Sequence, residues 1–371
     1  MYRVVIVAGL LAAVAVLQSV SKGWASLYSP QEPMAIPVED GKPVPLPFEE
    51  FKRRLTILRN ALVEPLSGEK DNPDRQAFLQ RIAEASGGKD AKKTKRLTAE
   101  ETAALATDLI RVGQLDQALD NLSAKMRPAN YWVLTTLGHV HAARGDWAQA
   151  IELQMAARLD TEMPEMVKGL TKGQRDWWEK LDRDYLPHYY QINKQYLESR
   201  RGISQTELEE ANRIEEPLPL FPLPVRSNFQ NPVRFVNDAG EYQPGNLASA
   251  ERAKLPPDAL AIVQQLLLWF PLDVRLYWLL GELYAANGDL DSAAVIFDEC
   301  TWSGKYGNRQ VLRDHRQAIR AAIEARPKPK PPEPPISMRT ILIYFGVIGL
   351  IGVIALIRSL TRRSRLANPT T

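Results

Sequence analysis

Side chains capable of chemistry are few and scattered. His139, His141, His188 and His315 are the four imidazoles of the 371-residue chain, and Cys300 is its one thiol. His139 and His141 stand two apart, a spacing that points them in different directions on a helix, so they cannot jointly hold a metal. His188 lies among tyrosines and His315 on a late amphipathic stretch, and both are expected to be packing or surface residues. A single cysteine excludes an internal disulfide and a cysteine-cluster metal site, and Cys300 reads as a small buried hydrophobe. Asp182-Arg183-Asp184 lacks the supporting ligands of a calcium loop. HExxH, a Walker loop, GxSxG and a GxGxxG after a strand are all missing from the sequence. No catalytic residue, metal or cofactor is therefore expected, although carboxylates brought together by folding would leave no motif.

The elements that must position these residues are mostly helical. Phe51, Leu55, Leu58 and Leu62 form one stripe of a helix that ends before Pro65, and Phe78, Leu79, Ile82 and Ala83 mark a second. From Leu97 to about Asp160 the apolar period stays helical, broken at Gly113, Pro128 and Gly145. Residues 165 to 200 are rich in aromatics, with Trp178, Leu181, Tyr185, Tyr189, Ile192 and Tyr196 on one face and Pro187 bending or splitting the helix. Val233 to Val236 and Glu241 to Gln243 flank the turn Asn237-Asp238-Ala239-Gly240 and predict a small β-hairpin lying against the helices. Further helices carry Ile262, Val263, Leu266, Leu267 and Phe270, and then Val311, Leu312, Ile319 and Ile323, the last as a solvating cap.

Both ends are apolar. Val4 to Leu17 is uncharged, but fourteen residues of helix cover only ~21 Å of a ~30 Å hydrocarbon core, so a secretory signal cleaved after Ala25 fits better than a span. An uncleaved anchor reaching Val20 is the alternative. Ile341 to Ile357 is uncharged and, with its neighbours, reaches the ~20 residues of a transmembrane helix. Arg358, Arg362, Arg363 and Arg365 follow it closely while Arg339 alone is as close before it, which favours a cytoplasmic C-terminus and a body held outside the cytoplasm. Elsewhere, 47 Lys and Arg against 44 Asp and Glu give a net charge of +3, too near neutral for electrostatic capture of nucleic acid. Of 27 prolines, 17 fall in three clusters that predict extended linkers.

An internal repeat is carried by three turns. Val112-Gly113-Gln114-Leu115 and Arg144-Gly145-Asp146-Trp147 are 32 residues apart, and Asn287-Gly288-Asp289-Leu290 returns later; each has an alanine five residues after its glycine. Glycine permits a left-handed helix end, the large apolar residue closes the turn, and alanine lets two helices approach. Tyr277, Leu280, Gly281, Tyr284, Gly288, Ala293 and Phe297 form the best copy. Leu134, Leu137, Gly138, His141, Gly145, Ala150 and Ala157 form a second, with His141 and Gln154 where aromatics are expected; Leu105, Leu109, Gly113, Ala118 and Leu122 form a third. With these residues the chain resembles the tetratricopeptide repeat family.

The resemblance implies helical-hairpin repeats, which with the small β-hairpin insertion and the C-terminal transmembrane helix read above make a mainly α fold. It also implies a non-catalytic scaffold for a protein or peptide partner, such as an envelope or membrane protein, held on the face of each first helix. The matching face positions are Trp132, Thr135 and His139, then Arg275, Trp278 and Glu282. The expected order is a signal peptide or anchor over 1–25, a Pro-rich spacer over 26–47, and short helices with a basic linker over 48–96. Repeats over 97–160, an aromatic-rich helical region over 161–216, and a Pro-rich segment with the β-hairpin over 217–257 come next. A repeat with its capping helix spans 258–325, then a Pro-rich linker 326–340, the membrane helix 341–360 and a basic cytoplasmic tail 361–371. The protein would be single-pass, or double-pass if the N-terminal segment stays. Two other readings are an envelope enzyme with a cleft between the repeat blocks, and a surface protein whose Pro332-Glu333-Pro334, apolar span and Arg cluster resemble an exosortase-type sorting signal.

Overall fold

A computed structural model describes residues 27, 29, 35–66, 70–87, 97–167, 169–224, 231–327 and 338–366. The expected signal segment, the basic run of residues 89–96 and the Pro332-Glu333-Pro334 motif lie outside the described residues. Two units are distinguished, one ending at Glu324 and one beginning at Ala325.

Among the described residues of the first unit, the regular elements are helices apart from β1 (Val38–Glu39) and β2 (Lys42–Pro43), a two-stranded antiparallel pair. Its helices are α1 (Phe48–Leu62), α2 (Pro73–Ala85), α3 (Ala99–Arg111), α4 (Leu115–Ser123), α5 (Tyr131–Ala143) and α6 (Trp147–Asp160). After them come α7 (Lys172–Lys180), a π-helical turn at Leu181–Tyr185, α8 (Leu186–Ser199), α9 (Gln205–Arg213) and α10 (Ser249–Arg252). The series closes with α11 (Ala259–Trp269), α12 (Val274–Ala286), α13 (Leu290–Thr301) and α14 (Gln310–Glu324).

The hairpins follow from their turns. Gly145 and Gly288 end α5 and α12 with φ of 77° and 82°, a conformation a Cβ would disfavour. In each turn the next amide reaches back five residues, Asp146 to His141 and Asp289 to Tyr284, which satisfies a helix-end carbonyl. The same aspartates then cap the following helices through Gln149 N and Ser292 N. The Gln114 amide makes the same reach to Leu109 at the α3–α4 turn. Adjacent helices stack from α1 to α6, and α11 to α14 stack likewise. The two series meet where α1 packs on α11, with Arg59 donating to the Pro271 carbonyl at 2.8 Å and lying over the Tyr277 ring at 4.6 Å.

The π turn sits where proline makes it easy to form. Pro187 has no N–H, so the carbonyl four residues earlier has no normal helical donor, and the ladder instead passes from Leu186 N to Leu181 O. The aromatic stripe is buried at Trp178, Leu181, Tyr185, Tyr189 and Ile192 and half-buried at Tyr196.

Three expectations need correction. Residues 231–247 contain the predicted turn, with Asn237 N bonded to Glu241 O, but no strand ladder; among the described residues the two-stranded sheet is β1–β2. The segment expected as an N-terminal spacer is part of the body: Ala35, Ile36 and Leu46 are buried. Extended chain can be buried here because Gln265 Oε1 accepts from Ile36 N, while Gln264 exchanges two bonds with the Leu46 backbone. Likewise Leu218, Leu220 and Phe221 in the second proline cluster are buried and do not run over the surface.

The second unit is described by itself. Its helix α15 (Met338–Leu366) contains Leu342–Ser359, eighteen residues with mean hydropathy 2.2. That stretch is long and apolar enough to cross a membrane.

Candidate functional site

The repeat faces expected to receive a partner are occupied by the chain itself. Trp132, Thr135 and His139 on α5 are buried, as are Trp278 and Glu282 on α12; Arg275 is half-buried. An open peptide groove at these six residues is therefore replaced by internal packing. The cover comes from the segment between the repeat blocks together with Trp269 and Phe270 at the end of α11 and His315 of α14.

On α5 the cover is aromatic. Trp132 meets Trp178 edge-on at 5.9 Å, and His139 stacks on Phe270 at 5.1 Å with Trp269 and Tyr190 edge-on to it. Burial, with Arg111 adding a like charge nearby, pulls the His139 imidazole down to about 3 and keeps it neutral. On α12 the cover is polar. Trp278 Nε1 donates to Glu282 Oε1 at 2.7 Å, and His315 Nδ1 lies 2.7 Å from the same oxygen. The His315 ring stacks on Tyr242 at 3.5 Å, which fastens the 231–247 segment and α14 to this repeat. Arg275 lies over the Tyr196 ring at 3.8 Å and 3.2 Å from Glu215 Oε1. Glu215 also takes Arg309 Nε at 3.1 Å and the Tyr306 hydroxyl at 2.6 Å. Glu215 is thus one buried carboxylate that ties three segments together. Cys300 is buried between α12 and α13, and burial pushes its thiol well up, away from the reactive thiolate.

The geometry instead points to a cleft of about 390 Å³ at the C-terminal end of α6. Its walls come from Tyr131 of α5, from Ala157 and Arg158 of α6 with the loop that follows, from Arg175 and Glu179 of α7, and from Asp182 and Arg183 of the π turn. Asp182 is buried, accepts from the Tyr131 hydroxyl at 2.7 Å and accepts from Gln154 Nε2. Its other oxygen, Oδ1, has no hydrogen-bond partner among the described residues. Burial pushes the Asp182 carboxyl up to about 6 against the two hydrogen bonds, and nearby Glu179 adds to the rise. Single π turns inside α-helices are frequent at functional sites. Sequence reasoning had rejected Asp182 as a calcium ligand; the signal pointing to it was Gln154, an amide where the repeat pattern wants an aromatic. Among the described residues, no group of three His, Cys, Asp or Glu side chains could hold a metal.

Fold and turns together define a protein of stacked helical hairpins whose grooves are lined by first helices. The tetratricopeptide repeat model matches residues 131–153 and 274–299, covering α5 with half of α6 and α12 with most of α13, so the chain carries tetratricopeptide repeats at these two places. No curated protein and no solved structure matches the chain.

Proposed function

We propose that the chain is a non-catalytic scaffold, anchored in a membrane by α15 with its repeat-containing body outside the cytoplasm, that docks another envelope or membrane protein. The observation that carries this reading is the pair of tetratricopeptide hairpins, a fold used for protein–protein contact. The apolar window Leu342–Ser359 and the arginines after it support the anchor and its orientation. Clustered carboxylates facing the aromatic helix would favour the enzyme alternative, and the aromatic packing between the repeat blocks counts against it.

Docking must then use the outer surface. Leu159 and Met166 are 74% and 90% exposed, and Met155 lies one helical turn before Leu159. A photo-crosslinker placed at Met166 in the membrane-bound full chain should capture one defined protein, and the same probe at exposed Leu66, far along the sequence, should not. Equal, non-specific capture from both positions would contradict the scaffold. A reporter fused after Thr371 should be active in the cytoplasm; activity only outside would overturn the orientation.

A further inference from the structure

We propose that the cleft at Asp182 is a socket for one lysine or arginine side chain of a partner polypeptide, whose cationic end pairs with the Asp182 carboxylate. This rests on the scaffold reading and names the chemistry of its partner.

The first argument is the state of Asp182. The carboxylate is buried, its hydrogen-bond donors Tyr131 and Gln154 are both neutral, and one oxygen has no donor at all. A buried carboxylate held only by neutral groups is costly, and a cation with N–H donors is what relieves it.

The second argument is the charge left over around the cleft. Arg175 is engaged with the Pro164 carbonyl, Asp176 and Glu179, and Arg183 with Asp184 through two hydrogen bonds. Arg158, Glu162 and Glu165 on the rim carry no ion pair among the described residues, so with Asp182 the free charge is acidic by three carboxylates to one guanidinium. That balance attracts a cation and disfavours an acidic peptide.

The third argument concerns shape and surroundings. Ala157, Met163 and the Tyr131 ring give the walls apolar surface along which the stem of a long basic side chain can lie. Leu159 and Met166, neighbours in the chain of the rim residues Arg158 and Glu165, add exposed apolar surface for residues flanking the basic one. A basic residue set among apolar ones fits socket and collar together, whereas a free amine would use only the socket. Because the Asp182 carboxyl titrates at about 6, with Tyr131, Gln154, Arg175, Glu179 and Arg183 facing it, docking should weaken as the pH falls through that value.

A displayed library of random peptides, selected on the detergent-solubilised full chain and on its Asp182→Asn variant, tests this. Peptides retained by the wild type and lost on the variant should share one Lys or Arg flanked by apolar residues, with affinity falling at least about tenfold on Asp182→Asn. The rim variant Glu162→Gln/Glu165→Gln, altered only at exposed positions, should weaken the same peptides about threefold without touching the fold. A thermal melt of Asp182→Asn confirms that the loss is not unfolding. Selected peptides that bind both proteins equally, or whose dependence on Asp182 comes without a basic residue, would overturn the socket while leaving the scaffold reading intact. Recovery of no peptide on either protein would count against both. Butylammonium binding as tightly as the selected peptides would overturn a polypeptide partner.

Discussion

The repeat of α5–α6 and the repeat of α12–α13 share a frame and differ in what they do with it. Gly145 and Gly288 make the same turn, Asp146 and Asp289 the same cap, and Gly138 and Gly281 occupy the same place in the first helix. In the later copy Phe297 fills the space under Gly281 so closely that a Cβ there would meet its ring at 2.8 Å. In the earlier copy Gln154 stands where Phe297 does, and a Cβ on Gly138 would first meet the Ala150 carbonyl at 3.4 Å. The copy that obeys the family pattern uses this position for packing. The copy that departs from it places an amide there, and that amide holds the buried carboxylate of Asp182. Departure from a repeat pattern is thus informative in itself, because the frame shows what ordinary packing would have required.

The sharpest way to break this comparison is to add the same methyl group to both repeats. Gly281→Ala drives a Cβ into a fully buried ring and should cost about 1–3 kcal/mol of stability even after the gain in helix propensity. Gly138→Ala has room and should be neutral or stabilising by up to about 1 kcal/mol. Thermal melts of the two variants decide this, and equal destabilisation would erase the difference argued between the copies.

An effect of similar size separates the polar chemistry of the two regions. The Asp182 carboxyl, raised from 3.8 to about 6, takes up a proton on folding between those values, so its contribution to stability falls as pH rises from about 4 to about 6. Asp182→Asn should therefore stabilise the chain at pH 8 by on the order of 1–3 kcal/mol, with little effect at pH 4. His139 works in the opposite sense. Its imidazole is held down to about 3 from 6.5, so stability is complete above 6.5 and is lost as pH falls toward 3. His139→Gln should flatten that acid limb while leaving the Asp182 limb unchanged, as melting curves between pH 4 and 7 would show. The smallest effect expected is from Cys300→Ser, which changes a buried thiol that donates only weakly, to Val274 O at 4.0 Å; it should cost about 1 kcal/mol or less and leave peptide binding unchanged.

The sequence showed the hairpins because their signals are local. A glycine, an apolar residue and an alanine at fixed offsets determine the turn wherever it falls, and α3 to α6 begin and end within a few residues of where the pattern put them. What covers the repeats was not legible. Whether Trp132 faces a partner or Trp178 depends on how residues 165 to 247 return over helices far away in the chain, and nothing local encodes that return. The hairpin expected near Asn237 failed for a related reason: a turn signal can be correct while the flanking residues find other backbone partners in place of a ladder. Val233 N bonds to Phe221 O and Ala248 N to Val236 O instead. The proline cluster before α1 misled because proline excludes helix without implying exposure, and two adjacent glutamines on α11 supply the hydrogen bonds that burial demands. Asp182 itself was visible only as a residue type; the π turn and the neutral donors that make it unusual are tertiary.

The central claim, that the repeat faces are closed by the chain's own inserted segment, is tested most directly by thiol accessibility. In a Cys300→Ser background, Thr135→Cys places a near-isosteric thiol on the covered face and Met166→Cys places one on the open surface. Maleimide should label Met166→Cys at the rate of a free thiol and leave Thr135→Cys unlabelled until the protein is denatured. Labelling of Thr135→Cys in the native protein as fast as that of Met166→Cys would show an open groove and contradict the account.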